Sequence, residues 1–255
     1  MSEHVLNLKG ISIGAGIPKI IIPLVGSDKQ KIQQEAALAM SLQPDAIEWR
    51  VDAFEQANDL DAVKDIIARL HKQFADILLL VTFRSKKEGG KQDIDPEDYV
   101  ILNKVIVETH QVDLIDVELF TGEAFVRQIV SCAHANNVRV VMSSHDFEKT
   151  PAKADIISRL RKMQAFDADI PKIAVMPKQK ADVLILLEAT AEMNDTYADR
   201  PIITMSMGGL GAISRLSGEI FGSSMTFGSG EKASAPGQIP VHELRKALRI
   251  IHDSQ

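Results

Sequence analysis

Apolar segments alternate with amphipathic segments along almost the whole chain, and this alternation constrains the fold more than any other feature. Each apolar segment is a continuous run, which is typical of parallel strands that are covered on both faces. Eight segments have this character: KIIIPLVG (19–26), DAIEWRVD (45–52), ILLLVTFR (77–84), VDLIDVEL (112–119), VRVVMSSH (138–145), DIPKIAVMP (169–177), PIITMSMG (201–208) and GSSMTFGSG (222–230). Segments predicted to be helical follow them in turn, at 28–42, 59–74, 96–110, 122–136, 151–166, 180–193, 209–218 and 241–252. This order predicts an α/β fold, the (β/α)₈ TIM barrel.

A doubly wound open sheet is the alternative, because it is also built from alternating strands and helices. That fold usually has fewer strands or a glycine-rich dinucleotide loop early in the chain. The segment MGGLGAIS (207–214) has a similar glycine spacing, but it comes late and has no acidic partner about 20 residues further on. The barrel is therefore the preferred prediction.

The chain has 255 residues and no linker or repeat that would divide it, so we expect one domain over 1–255. Residues 1–17, which include VLNLKGISIGAG, precede the first barrel strand and predict a β-hairpin that closes the bottom of the barrel. The glycine, serine and alanine content of 229–239 allows a mobile loop at the active site.

Bulk composition excludes several classes of function. A formal net charge of -6 leaves no basic surface for nucleic acid and no polybasic patch for a membrane. Cys132 is the only cysteine, so neither an internal disulfide nor a thiolate metal cluster can form. The N-terminus lacks the pattern of a signal peptide and no apolar run approaches ~20 residues, so we expect a cytoplasmic protein.

Polar and ionisable residues lie in or just after most of the predicted strands. Active sites of such barrels lie at the C-terminal ends of the strands, whereas branched apolar side chains normally fill the interior. The residues with this placement are Glu48 and Arg50, Arg84 and Glu88, Asp116 and Glu118, His145, Lys172, Arg215, and Ser234 with Gln238. Their number is difficult to explain by packing alone.

Most of these residues also have a purely structural interpretation. Glu48 and Arg50 face the same way and would form an ion pair at a strand end. Arg84 and His145 are each compatible with ordinary solvated side chains. Asp116 and Glu118 predict a structural pair or a network at the barrel mouth, and we assign them no chemistry.

Lys172 is different, because a structural interpretation must explain a lysine inside an apolar strand. A buried ammonium without a partner is costly, unless the long side chain reaches the surface. Apolar surroundings and nearby arginines would disfavour the charged form and leave a free amine, which attacks a ketone to form a Schiff base. Lys172 lies closer to the start of its strand than to the end, so its side chain would have to extend upward to the mouth.

Other site chemistries have weaker support in the sequence. His145 has no histidine or cysteine companion at metal-ligand spacing, and His110 and His134 lie in predicted helices, so we expect no metal. The segment FGSGEKAS (227–234) follows the last strand, where barrels often bind phosphate, but it is a weak signal.

Six motifs resemble those of the type I 3-dehydroquinate dehydratase family, in the same order and over nearly the whole chain. They are IEWRVDAF with Glu48 and Arg50, TFRSKKEGG with Arg84 and Glu88, SSHDF with His145, PKIAVMP with Lys172, SRLSGEIFGS with Arg215, and ASAPGQI with Ser234 and Gln238. The resemblance implies a barrel enzyme of the shikimate pathway, a homodimer, that converts 3-dehydroquinate to 3-dehydroshikimate without metal or organic cofactor.

The resemblance also implies a role for each motif residue. Lys172 would form the Schiff base, His145 would transfer protons, and Glu88 would pair with that histidine. The remaining residues would bind substrate: Arg215, Ser234 and Gln238 at its carboxylate, Glu48, Arg50 and Arg84 at the ring hydroxyls, and Met205, Phe147 and Phe227 as apolar walls. One departure is Pro23, which stands where some relatives carry a serine.

Two alternatives remain open on the residues alone. A class I aldolase would also use a Schiff-base lysine in a barrel, but it would need a convincing phosphate site. A catalytically silent barrel that binds a metabolite or protein predicts the loss of Lys172, His145 or Arg215, and the chain keeps all of them.

Overall fold

Parallel strands form a ring at the centre of the computed structural model, which describes residues 4–230 and 235–255. Neighbouring strands in the ring are consecutive in the chain. The strands of the ring are β3 (Lys19–Leu24), β4 (Ala46–Arg50), β5 (Leu78–Thr82), β6 (Leu114–Glu118), β7 (Arg139–Asp146), β8 (Ile170–Val175), β9 (Ile203–Ser206) and β10 (Met225–Ser229). They correspond to the eight predicted apolar segments, and all except β7 are shorter than predicted.

The ring closes between its last strands and its first. β10 pairs in parallel with β3, and Phe227 lies opposite Ile21 in that register. The residues just before β9 and β10 join these two strands. Ile202 bridges to Ser223, and the Ser224 N–H donates to the Ile202 carbonyl at 2.8 Å. The prediction of a TIM barrel is therefore confirmed, because a doubly wound sheet would not pair its first strand with its last.

Helices connect the strands and cover the outside of the ring. Aspartates at 28, 59 and 95 accept N–H groups of the first helical turn, and Pro96 starts its helix where a missing N–H costs nothing. The helices are α1 (Lys29–Ser41), α2 (Leu60–Gln73), α3 (Pro96–Glu108), α4 (Glu123–Ala135), α5 (Lys153–Ala165), α6 (Lys180–Glu192), α7 (Ala212–Leu216), α8 (Gly218–Phe221) and α9 (Val241–His252). None of the helices within the described ranges has the length and apolar character needed to cross a membrane.

Two details of the predicted order were wrong. The predicted helix at 209–218 is two short helices, α7 and α8, which are separated at Ser217. A two-residue strand, β11 (Ile239–Pro240), also pairs with β10 and was not predicted. Both departures involve elements of only two to five residues, which are too short for a periodic pattern to define.

The strands are apolar throughout because alternate residues face two different cores. Trp49 and Ile47 of β4 point outward into the layer between strands and helices, where both are fully buried. Ala46 of the same strand belongs to the smaller core inside the barrel. Glu48 has the inward direction of Ala46, which places its carboxylate inside the ring.

The predicted hairpin is present and packs against the bottom of the barrel. β1 (Leu6–Leu8) and β2 (Ile11–Ile13) are antiparallel. Ile13 is completely buried in the inner core, together with residues from the starts of the barrel strands. The hairpin thus covers the end of the barrel that lies away from the polar residues.

Three aspartates at the bottom join neighbouring strands through their side chains. Asp45 accepts the N–H of Ile20 at 2.7 Å, and two further aspartates bond in the same way to the starts of β5 and β7. These are Asp113, which accepts from Leu79, and Asp169, which accepts from Val140, both at 2.8 Å. We call Asp45, Asp113 and Asp169 the bottom aspartates; they hold the strand register independently of the opposite end.

Candidate active site

A cavity of about 210 Å³ opens at the C-terminal ends of the strands. This is the end at which barrels of this kind carry their active sites. All but one of the residues predicted for the site line it: Glu48, Arg50, Arg84, Glu88, His145, Phe147, Lys172, Met205, Arg215, Phe227 and Gln238. Ser234 falls outside the described residues, and Pro23 is not among the lining residues.

Lys172 lies in the middle layer of the barrel interior rather than at the mouth. Four alternate strands contribute one side chain each to this layer, as is usual in such barrels: Glu48, Asp116, Lys172 and Phe227. The layer below it contains only apolar residues from the same strands, including Ala46, Leu114 and Ile170. The lysine is therefore close to the start of its strand and still reaches the cavity floor.

The amine of Lys172 is almost fully buried and has three close neighbours. Its Nζ atom lies 3.2 Å from Oδ2 of Asp116 and 3.8 Å from Oε1 of Glu48. It also lies 4.6 Å above the ring of Phe227. The sequence led us to expect arginines near this amine, and its nearest charged neighbours are the carboxylates of Asp116 and Glu48. The contacts fix the position of Nζ and leave it facing the cavity.

Asp116 was not assigned to the site from the sequence, yet it joins the lysine to Arg84. Its Oδ1 accepts from NH2 of Arg84 at 2.7 Å and from the hydroxyl of Ser143 at 2.6 Å. Burial raises the pKa of Asp116, but Arg84, Lys172 and Ser143 lower it further, so the net shift is downward. The signal in the sequence was the i, i+2 pair Asp116–Glu118, which faces the same interior as Glu48.

Glu118 is a further partner of Arg84. Its Oε1 accepts from NH1 of Arg84 and from the N–H of Ser85, both at 2.9 Å. The predicted network of Asp116 and Glu118 is present, but it stands in contact with the cavity cations instead of at the rim.

His145 and Glu88 form a second pair, on the wall of the cavity. Oε2 of Glu88 lies 2.9 Å from Nδ1 of His145 and accepts the backbone N–H of the same residue at 3.0 Å. Burial, followed by the cations Arg84, Lys172 and Arg50, holds the pKa of His145 well below its usual value. Burial also raises the pKa of Glu88 to about 8. The imidazole is therefore uncharged at neutral pH, and its Nδ1 is engaged with the glutamate.

Phe147 covers the imidazole from the side of the solvent. The two rings are stacked, with their centroids 6.5 Å apart. A β-carbon on Gly89 would lie 2.3 Å from the phenyl ring, and Gly89 has a positive φ of +85°. Glycine at this position therefore provides the space that Phe147 occupies.

The ion pair between Glu48 and Arg50 that the structural interpretation would require is not formed. Arg50 instead bonds to Asp52 through Nε at 2.7 Å and NH2 at 2.8 Å. Glu48 accepts from the hydroxyl of Thr82 at 3.0 Å and lies beside Lys172. The two residues face the cavity with different partners.

Arg215 differs from the other cavity arginines in having no carboxylate partner among residues 4–230 and 235–255. Its guanidinium contacts Sδ of Met205 at 3.9 Å and donates to the Pro236 carbonyl at 3.2 Å. Its buried Nε has no hydrogen-bond partner within the described chain. Burial lowers the pKa of Arg215 to about 10, so the group remains a cation at neutral pH. The arrangement provides an anion site at one side of the cavity.

Potential metal ligands do not converge in the described part of the chain, where no three histidine, cysteine, aspartate or glutamate side chains could hold an ion together. His134, which lies away from the cavity, contacts Asp169 at 2.8 Å. The carboxylates that line the cavity are instead paired with arginine, lysine or histidine.

Comparisons with known proteins agree with one another. The family model described as "Type I 3-dehydroquinase" matches residues 20–255. The 3-dehydroquinate dehydratase of Bacillus subtilis (strain 168) is 58% identical over 249 residues, which covers 98% of each chain. Among solved structures, the type I 3-dehydroquinate dehydratase from Clostridium difficile "with Covalent Modified Comenic Acid" has a TM-score of 0.97 and 51% identity, covering 99% of this chain and 100% of that one. The 3-dehydroquinate dehydratase from Enterococcus faecalis has a TM-score of 0.91 and 40% identity, with 96% and 98% covered.

Proposed function

Because this chain belongs to the type I 3-dehydroquinase family, we propose that it removes water from 3-dehydroquinate to give 3-dehydroshikimate through an imine on Lys172. The observation that carries the proposal is the content of one cavity: a buried amine, an uncharged imidazole and an arginine without a carboxylate partner in the described chain. Each supplies something that this dehydration requires. The reaction needs no metal or organic cofactor.

The first step is attack of the Lys172 amine on the substrate ketone. The uncharged amine adds to the carbonyl carbon, and loss of water from the adduct gives a protonated imine. The imine accepts the electron pair left when a neighbouring C–H proton is removed, so the carbanion is stabilised within the adduct. Burial of Nζ at the cavity floor excludes water that would hydrolyse the imine early.

His145 then acts as the base and afterwards as the acid. Its lowered pKa leaves a free ring nitrogen at neutral pH, while Nδ1 is held by Glu88. Removal of the proton gives an enamine, and the resulting imidazolium returns a proton to the departing hydroxyl. Glu88 orients the ring through its contact with Nδ1. Hydrolysis of the product imine regenerates the amine.

Charge directs the orientation of the substrate. A guanidinium can bind a carboxylate through two parallel hydrogen bonds, and Arg215 is the cavity arginine that no described carboxylate neutralises. Arg50 and Arg84 are already paired with carboxylates and, with Glu48, would bind ring hydroxyls. Gln238 and Ser234 would close the carboxylate end, and Met205, Phe147 and Phe227 would form the apolar walls.

The covalent ligand of one relative is consistent with this chemistry. Comenic acid carries both a ring carbonyl and a carboxylate, the same two groups that we assign to Lys172 and Arg215. The Clostridium difficile relative with this covalently modified acid is 51% identical in sequence to this chain. A ketone and a carboxylate on one ring would span the cavity from its floor to its anion site.

Borohydride reduction in the presence of 3-dehydroquinate tests the proposal. The reductant converts an imine to a stable amine, and peptide mass mapping should place the adduct on Lys172. Lys172→Ala should show no adduct and no turnover. A folded wild-type protein that forms no adduct, or that cleaves a carbon–carbon bond as an aldolase would, contradicts the proposal.

Two further properties implied by the resemblance remain predictions. We expect a homodimer, which light scattering of the purified chain would measure, and a cytoplasmic location, which fractionation of the source cells would measure. A monomer at working concentration would contradict the first.

A further inference from the structure

Asp52 is a completely buried carboxylate that the proposed mechanism does not use. It lies in a short 3₁₀ turn (Val51–Ala53) directly after β4 and is not among the residues that line the cavity. Its two oxygens nevertheless accept four hydrogen bonds, and each donor belongs to a residue at or near the site. A buried ionised group with this many partners is a specific feature, because its desolvation must be offset by good geometry.

Two of the four bonds come from the side chain of Arg50. Nε donates to Oδ1 at 2.7 Å and NH2 donates to Oδ2 at 2.8 Å. This bidentate contact uses two of the five guanidinium N–H groups and fixes the plane of the group. The other three guanidinium N–H groups remain available to a ligand in the cavity, which Arg50 lines.

The other two bonds hold the segment 84–91 at both ends. The Arg84 N–H donates to Oδ1 at 3.1 Å, and the Lys91 N–H donates to Oδ2 at 2.9 Å. Glu88, the partner of His145, lies between these two anchors. Gln92 adds to the same attachment, because its side-chain amide donates to the carbonyls of Asp52 and Phe54.

Only an ionised carboxylate can accept all four donors. Burial raises the pKa of Asp52, but Arg50 and the two backbone N–H groups lower it further, so that the net shift is downward. In an asparagine, one oxygen becomes an amide that donates, and it would face one guanidinium N–H and one backbone N–H. Asp52→Asn, which replaces one oxygen by an amide of the same size, would therefore disrupt both the contact with Arg50 and the contact with the backbone of segment 84–91.

We propose that Asp52 is a positioning residue of the active site, which fixes the Arg50 guanidinium toward the cavity and anchors both ends of the segment that carries Glu88. The inference rests on the proposed function, in which Arg50 binds substrate and Glu88 orients His145. It assigns to one buried carboxylate the alignment of two groups on different sides of the cavity.

Steady-state kinetics of Asp52→Asn test the proposal. A displacement of about 1 Å in catalytic groups costs on the order of 100-fold in rate, so kcat/KM should fall by about that factor, with KM raised and kcat lowered together. Asp113→Asn is the matched control, because that aspartate also accepts a backbone N–H and pairs with a cation, Lys9, at the bottom of the barrel. The control should lose stability and keep both kinetic constants.

A double-mutant cycle with Arg50→Lys separates positioning from general damage. If Asp52 acts partly through Arg50, the double variant should lose clearly less than the product of the two single losses. Strictly multiplicative losses, or an Asp52→Asn protein that loses stability but keeps the wild-type kcat and KM, would overturn the proposal. Wild-type protein assayed alongside separates failure of the proposed function from failure of the inference about Asp52. An inactive wild type contradicts the proposed function and not the role of Asp52.

A measurement on the wild-type protein keeps the test valid if Asp52→Asn does not fold. The Arg50 Nε–H, assigned in a ¹H–¹⁵N spectrum by its loss in Arg50→Lys, should exchange slowly with solvent because Asp52 holds it. Exchange as fast as that of the exposed Arg69 would overturn the inference.

Discussion

Nζ of Lys172 lies 3.2 Å from Oδ2 of Asp116, inside a barrel layer where branched apolar side chains are usual. The other oxygen of Asp116 contacts Arg84 and Ser143. One carboxylate thus holds the reactive amine and a cavity cation at a fixed separation. This contact leads to the first of five predictions.

Asp116→Asn should lower kcat by about 100-fold, because the amine loses the partner that fixes it against the cavity floor. Glu118→Gln is the matched control, since Glu118 contacts Arg84 in the same network but not Lys172. Stopped-flow measurement of imine formation should show the loss for the first variant. Equal losses in both variants would mean that the contact with Lys172 is not the cause.

His145→Ala should still form the imine on Lys172 but process it slowly, because the side chain lost is the base and not the nucleophile. Removal of a positioned general base typically costs about 10²- to 10⁴-fold. Mass spectrometry after borohydride reduction would detect the trapped adduct, and single-turnover kinetics would give its decay. A folded variant without adduct would show that the proton-transfer role is misassigned.

Arg215→Ala should mainly raise KM, by about 10- to 100-fold, which corresponds to charge-assisted hydrogen bonds of roughly 1.5–3 kcal/mol. The buried cation has only neutral partners in the described chain, so its removal should not unfold the protein. Initial-rate measurements over a wide range of substrate concentrations separate the change in KM from any change in kcat. An unchanged KM would remove Arg215 from the carboxylate site.

Gly89→Ala should displace Phe147 from the imidazole and lower kcat/KM. The added carbon would lie 2.3 Å from the phenyl ring, at a backbone φ of +85°. Gly10→Ala is the matched control, because Gly10 has a φ of +76° and no atom within 4 Å of an added carbon. Both variants should lose about 1 kcal/mol of stability from backbone strain. Only the first should lose activity; equal kinetics would contradict the role of this glycine.

The stability of the protein relative to Glu88→Gln should fall as the pH rises from 5 to 8. Burial raises the pKa of Glu88 from 4.5 in the unfolded chain to about 8 in the folded protein, so the folded chain holds one additional proton in this window. The contribution of Glu88 to the free energy of unfolding is complete below the unfolded pKa of 4.5. It is lost as the pH rises toward the folded pKa of about 8, at roughly 1 kcal/mol per pH unit. Chemical denaturation of both proteins at several pH values measures the difference. A constant difference would contradict the raised pKa.

The fold was predictable from the sequence because its signal is repeated along the chain. Each strand–helix unit carries its own apolar run, and the order of the units leaves few topologies. The last quarter was less predictable: α7 has five residues and β11 has two, too short for periodicity to define. Their formation depends on packing against β9 and β10.

The candidate site was predictable as a set of residues but not as a set of pairs. Glu48 and Arg50 face the same way on one strand, which suggested a mutual ion pair, yet each has a partner from another part of the chain. Asp52 gave no distinct signal, and the spacing of Asp116 and Glu118 indicated only a structural pair or network. A carboxylate next to apolar residues has the same sequence pattern whether it contacts a lysine or a loop. Pairing across the barrel is set by three-dimensional register, which a linear pattern does not contain.

The junction between β9 and β10 has a consequence for the response to ligand. A backbone bridge at Ile202 and Ser223, with the Ser223 hydroxyl accepting from the Thr204 N–H, joins these edges of the ring. Lys172 and Arg215 line the cavity on one side of the junction, and Phe227 and Gln238 line it on the other. A substrate that contacts both sides would link them across this junction, where an isolated backbone bridge joins the two edges. Local opening of the barrel should begin at this junction in the ligand-free protein. Substrate binding should suppress the opening there first.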